Sequence, residues 1–259
     1  MRLPRHFPMG PGVALLLALA SAGCRSAALD RMDRPSLRIG VVEDSPPLIF
    51  RQNRRWAGVE AELGRALAER LGMRPVFVAY PADKLSAALL GGHVDILMAG
   101  MAATEDLRVQ LDFSTPYLVV GQAALVRTQD LPRVNTPIKI RAAIARAGVV
   151  ANSAGDRLVS RYFANATRFA FPDAEEAAEA LRQGQIDMLI HDAPAAWWLA
   201  LRHEPHLAVA PPLFAKEEIA WAFRRGSVSL RESANQALAD WQKDGTLEAI
   251  LRRWIPFSK

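Results

Sequence analysis

A chain of 259 residues, 51% hydrophobic and 23% charged, has the composition of a folded globular protein and enough length for two modest cores. Its formal charge of +5 falls to +3 once residues 1–23, which carry Arg2 and Arg5 and no acid, are set aside. That mild balance, with Arg and Lys scattered among acids, argues against a nucleic-acid partner, and a single cysteine excludes an internal disulfide.

The chain opens with two arginines, an apolar run Val13–Ala20 and the small residues Ser21-Ala22-Gly23, the order of a secretory signal over 1–23. The run is too short to span a bilayer as a mature helix, which takes about 20 residues. Cys24 follows directly, where a bacterial lipoprotein signal places the thiol that receives lipid; an ordinary cut after Ala22 is the alternative. Either route exports the protein, and residues 24–36 read as a tether.

Leu37–Val42 is strand-like and is broken by Ser45-Pro46-Pro47. Val59, Leu63, Leu67 and Leu71 recur every four residues and predict a helix ending at Gly72. Pro75–Ala79 reads as a strand. A helix through Leu85 and Leu89 stops at Gly91-Gly92, and Val94–Met98 has the character of a buried strand. Tyr117–Val126 is a long apolar run suited to a strand that travels far. The alternation then repeats: strand Val149–Ala151, helix Asp156–Phe163, a helix capped by Asp173 and running to Gln183, strand Ile186–Ile190, helix Ala193–Arg202, strands Leu207–Ala210 and Ile219–Phe223, and helices Leu230–Lys243 and Thr246–Trp254. This is an α/β pattern. Residues 88–98 (ALLGGHVDILM) and 180–190 (ALRQGQIDMLI) share A-L-x-x-G-x-(V/I)-D-(I/M)-L-(M/I), which predicts two similar halves.

Several ordered pieces resemble one family. They are Leu37-Arg38-Ile39-Gly40-Val41, Asp44-Ser45-Pro46-Pro47, Gly58-Val59-Glu60, Gly92-His93-Val94-Asp95-Ile96-Leu97, Thr104-Glu105, Asp112-Phe113-Ser114-Thr115-Pro116-Tyr117, Gly184-Gln185-Ile186-Asp187, Asp192, and Asp244-Gly245-Thr246-Leu247 running to Trp254. Together they are similar to the bacterial extracellular solute-binding proteins of family 3, the group of periplasmic amino-acid-binding proteins that serve ABC importers. The resemblance implies a two-lobed periplasmic-binding-protein-like fold with two hinge crossings, at Tyr117–Val126 and Ile219–Phe223. Lobe 1 then takes 37–122 with 219–259, and lobe 2 takes 123–218 including hinge segments.

Such a fold binds by closing two lobes over a small polar solute held at loops beyond the strand ends, where helix-start amides suit an anion. The candidates are Asp44 after the first strand; Gly100, Met101, Ala102 and Thr104 in the small-residue loop 99–104; Asn152, Ser153 and Ala154 before a helix; Asp192, where the family places an acid facing the ligand's amino group; and Trp56 as a stacking wall. The resemblance also implies a carboxylate-binding arginine six residues before Phe113, but Leu107 stands there and Arg108 comes one position late.

The expected protein is a periplasmic binding protein anchored through lipid on Cys24, monomeric, without cofactor or metal, handing solute to an ABC permease. A sensor or accessory lipoprotein without a transport role is the alternative. An enzyme on the same scaffold finds no support in G-x-S-x-G, H-E-x-x-H or phosphate-loop motifs, and the His203-Glu204-Pro205-His206 loop is broken by proline.

Overall fold

The computed structural model describes residues 34–255, apart from the side chains of 211–215. The expected signal, Cys24 and nearly all of the tether lie outside the described residues.

Strand β1 (Ser36–Val41) buries Leu37, Ile39 and Val41 completely, because β4 (Arg74–Ala79) and β5 (Ile96–Leu97) flank it in parallel on both sides. Between β1 and β4 stand a hairpin, β2 (Phe50–Gln52) and β3 (Arg55–Ala57), and helix α1 (Val59–Arg70), whose Val59, Leu63 and Leu67 face the core as their spacing predicts. Helix α2 (Leu85–Leu90) leads into β5, and the short α3 (Glu105–Arg108) precedes β6 (Leu111–Phe113). The chain then leaves this sheet along β7 (Leu118–Arg127).

The second half is built likewise: α4 (Pro137–Ala142), β8 (Arg146–Val150), α5 (Ala154–Tyr162), β9 (Thr167–Phe171), α6 (Ala174–Arg182), β10 (Met188–Asp192) and α7 (Ala193–Arg202). Strand β11 (Leu207–Ile219) carries the chain back to β12 (Ala222–Arg224), and α8 (Val228–Asp244) and α9 (Thr246–Trp254) close it, turning at Gly245 with φ +83°. One sheet has the order β4-β1-β5-β12-β6 and the other β11-β7-β10-β8-β9. The first is covered by α1, α2, α8 and α9; the second has one core under α6 and α7 and another under α4 and α5.

The repeated motif has one structural meaning in both halves. Asp95 accepts the Arg38 backbone N–H (2.8 Å) and its Nε (3.1 Å), and the Asp95 N–H returns a bond to the Arg38 carbonyl (2.8 Å). Asp187 does the same with Arg146, at 2.8, 3.1 and 2.8 Å. Each aspartate thus pins the incoming strand to the neighbouring parallel strand, after a glycine with positive φ (Gly92 +71°, Gly184 +77°) has ended the helix.

The crossings differ from expectation in one respect. β7 and β11 pair antiparallel from Arg127 opposite Leu207 to Leu118 opposite Ile219. The return crossing is therefore the long β11, not Ile219–Phe223; Leu207–Ala210 belongs to the same strand, and β12 is a separate element of the first sheet. Register shifts between Ala210 and Phe214 and between Phe214 and Lys216 let β11 pass its two prolines while staying paired.

Candidate functional site

Apart from Trp56 and Arg108, the candidate residues lie just beyond the carboxyl ends of β1, β5, β8 and β10. After β1, Asp44 is exposed, and its carboxylate has no hydrogen-bond or ion-pair partner among the described residues.

The loop after β5 is fastened rather than open. Gly100, at φ +64°, gives its N–H to Glu60 Oε1 (2.9 Å), and a side chain here would strike Leu48. Its amide is already spent on Glu60, so it is not a ligand donor. Met101 and Ala102 are zipped to the end of β11: the Ala220 N–H meets the Met101 carbonyl (3.2 Å), Ala103 N–H meets the Glu218 carbonyl (2.9 Å), and Ala102 stands opposite Ile219. Thr104 caps α3, its Oγ1 accepting from the Leu107 N–H (3.4 Å). Arg108 is likewise engaged. Its Nε donates to the Ala103 carbonyl (3.0 Å), its guanidinium lies 3.7 Å from the Glu218 carboxylate, and it stands over the Phe113 ring. A carboxylate clamp at Arg108 would require it to leave Glu218. Leu107 packs against the core beside β5.

Trp56 is not a wall of the cleft. Its ring is buried, packs on Phe77 of β4 at 6.1 Å and is covered by the Arg51 guanidinium at 3.6 Å, because the β2–β3 hairpin lays it against the first core.

In the second lobe, Asn152 sits at φ +62° and leads into the N-terminus of α5. Ser153 Oγ accepts the Asp156 N–H (3.1 Å) while Asp156 Oδ2 accepts the Asn152 N–H (2.9 Å), a reciprocal cap that uses both polar groups. Arg168 of β9 forms a bidentate pair with Asp156 (2.5 and 2.8 Å), and this guanidinium, ahead of the other bonds, holds the Asp156 carboxyl down to about 2. The main-chain N–H groups of Ala154 and Gly155 have no acceptor among the described residues, and the Asn152 side chain is exposed beside them.

Asp192 ends β10 and is about half exposed. It stands before α7 without capping it. Instead its Oδ1 accepts a short hydrogen bond from Gln122 Nε2, its cross-strand partner on β7. Glu217 on β11 is half-buried, and burial, then the Asp192 charge, raises its carboxyl above the ordinary range, with Arg157 opposing. Neither Gln122 nor Glu217 stood out from the sequence. Gln122 had one visible signal, a lone amide in the apolar run 118–126.

The lobes also meet through aromatic rings. Phe50 of β2 lies 5.3 Å from Trp198 of α7 and 5.7 Å from Trp254 of α9, edge-on to the latter. Cavities of about 530 and 440 Å³ lie elsewhere, one between the amino ends of β1 and α8, the other between β7, Trp197 and α9.

The model of the bacterial extracellular solute-binding proteins, family 3, matches residues 37–257. The L-cystine-binding protein TcyJ of Escherichia coli (strain K12) is 27% identical over 224 residues, covering 86% of this chain and 84% of that protein. The cyclohexadienyl dehydratase of Pseudomonas aeruginosa is 24% identical over 256 residues, 98% of this chain and 95% of the enzyme. The solved structure of an ancestral cationic amino-acid solute-binding protein superposes with a TM-score of 0.78 at 27% identity, over 85% of this chain and 95% of that one. Over nearly all of its described length, then, the chain belongs to the bacterial extracellular solute-binding proteins of family 3.

Proposed function

We propose that this protein binds an amino acid or a closely related ammonium-bearing solute outside the cytoplasm and passes it to an ABC permease. The observation that carries the reading is Asp192. It is a carboxylate at the mouth of β10 that spends nothing on capping α7, is oriented by Gln122, and has Glu217 beside it. Two acids and an amide suit an ammonium group. The α5 start beyond Asn152 offers main-chain N–H groups to the solute's carboxylate. Asp44 extends the acidic side, and the loop from Gly100 to Thr104 forms the floor, with Arg108 a second carboxylate partner if it releases Glu218. The relatives include an L-cystine-binding protein and an ancestral cationic amino-acid-binding protein.

A thermal-shift screen of amino acids, amines, organic acids and small peptides tests this. Amino acids are expected to raise the melting temperature and organic acids without an amine to leave it unchanged. Asp192→Asn is expected to weaken the best binder about tenfold or more, the worth of a charge-assisted bond of about 1.5–3 kcal/mol. Equal stabilisation by amine-free acids would overturn the ammonium seat. The bound solute should be recovered chemically unchanged; a product would move the protein to the dehydratase side of the family.

The lobes divide as 37–122 with 219–259 and 123–218. They act as a monomer tethered by residues 24–36 to lipid on Cys24, after removal of 1–23. Cys24→Ala is the check. The variant should appear in the soluble periplasmic fraction, and its retention with membranes would remove the anchor.

A further inference from the structure

Glu60 is fully buried in the first turn of α1. Its Oε1 accepts the Gly100 N–H (2.9 Å) and the Tyr117 hydroxyl (2.7 Å), and its Oε2 accepts the Trp221 indole N–H (2.9 Å). The three donors come from three different working parts. Gly100 belongs to the loop after β5. Tyr117 stands one residue before β7, the outgoing crossing. Trp221 lies between the end of β11, the return crossing, and β12.

The chemistry at this point calls for an acceptor only. All three partners donate, and no Arg, Lys or His pairs with the carboxylate among the described residues. A glutamine would turn its NH2 toward one donor and lose at least one of the bonds. Burial is costly for an unpaired carboxylate, and it lifts the Glu60 carboxyl to about 7 against the pull of the three hydrogen bonds. Among the described residues the only titratable group that touches it is Tyr117, from the β7 side. Tyr117 is itself pushed well above its usual range, by burial and then by the Glu60 charge, and stays a neutral donor. The β5 loop presents main chain, the β11–β12 link presents an indole, and the loop before β2 presents the Leu48 carbonyl, which accepts the Glu60 N–H (2.8 Å).

We propose that Glu60 is a positioning residue that couples the Gly100–Thr104 loop to both hinge crossings, so that its protonation changes solute affinity although it never touches the solute. With the carboxylate charged, the loop, Tyr117 and Trp221 are drawn to one centre. With the proton added, the carboxyl accepts more weakly from the Gly100 and Trp221 N–H groups, which can only donate, and the loop and crossings are held together less firmly. The proposal rests on the reading of 100–104 as part of the solute seat, but its first test does not.

In solute-free protein, nitrogen-15 NMR follows the Gly100 amide and the Trp221 indole from pH 5 to 9. Both are expected to titrate with one shared midpoint near neutrality and to be flat in Glu60→Gln. Different midpoints, or a titration that survives in Glu60→Gln, would overturn the coupling. Should Glu60→Gln not fold, Tyr117→Phe removes one donor to the charged form, and the midpoint read at Gly100 must rise; an unmoved midpoint overturns the proposal equally. In the second arm, L-arginine and L-lysine are titrated at pH 5.5 and 8.5. Affinity for whichever binds should differ at least fivefold in the wild type and be level in Glu60→Gln. If neither binds, the best binder of the thermal-shift screen takes their place in this arm, and the two resonances decide the role of Glu60 in either case.

Discussion

Gly58→Ala is expected to destabilise the first lobe by about 3 kcal/mol or more, from one added methyl group. Gly58 sits at φ +103°, a conformation that costs an L-residue about 1–3 kcal/mol. The space is also taken: a Cβ would lie 2.5 Å from the Leu48 carbonyl oxygen and 2.6 Å from that of Pro47. Those two carbonyls are not idle. They accept the N–H groups of Glu60 (2.8 Å) and Val59 (3.2 Å), the first donors of α1, in place of a side-chain cap. The methyl group must push both away, adding about 1 kcal/mol for each bond lost. Urea unfolding measures the sum, and a loss under about 1 kcal/mol would show that the loop between β1 and β2 yields freely. Because the same turn sets Glu60, the variant is also expected to disturb the Gly100 and Trp221 resonances in whatever fraction stays folded.

Most of the scaffold can be read from apolar spacing. The face Val59-Leu63-Leu67 and the two A-L-x-x-G-x-(V/I)-D units state directly what they do, since burial on one helical face and a helix–glycine–strand junction each leave a periodic trace. What stayed hidden depended on contacts between distant residues. Glu60 looks like an ordinary acid at a helix start, favourable to the helix dipole; only the fold brings Tyr117 and Trp221 onto it. The β2–β3 hairpin turns on Asn53 and Arg54, at φ +51° and +62°, and an arginine there hides a turn that Asn-Gly would have announced. Pro211-Pro212 reads as a break, yet β11 continues through it by shifting register. The loop 99–104 shows the same limit. Small residues suggested open amides, but the structure has already bonded Gly100 and Ala103 to protein acceptors.

Gly155→Ala carries the second large effect, and it falls on function. Gly155 is the second residue of α5, and a Cβ on it would come closer than 3.0 Å to the Ile190 carbonyl oxygen and 3.1 Å from Gln122 Oε1. Ile190 lies inside β10, held by Ala124 of β7 on one side and Val149 of β8 on the other, so that carbonyl cannot retreat without tearing two ladders. The helix must lift instead, and it takes the amides beyond Asn152 with it while Asp192 and Gln122 stay on the sheet. Overpacking of this kind costs about 1–3 kcal/mol in stability. The separation of the two halves of the seat is expected to lower affinity for the best-binding amino acid tenfold or more by calorimetry. Gly184→Ala is the control: no atom lies within 4 Å of its Cβ, so it bears only the strain of φ +77° and should bind as the wild type does. Wild-type affinity in Gly155→Ala would mean that the start of α5 takes no part in holding the solute, and the carboxylate of the ligand would then have to be sought at Arg108 instead.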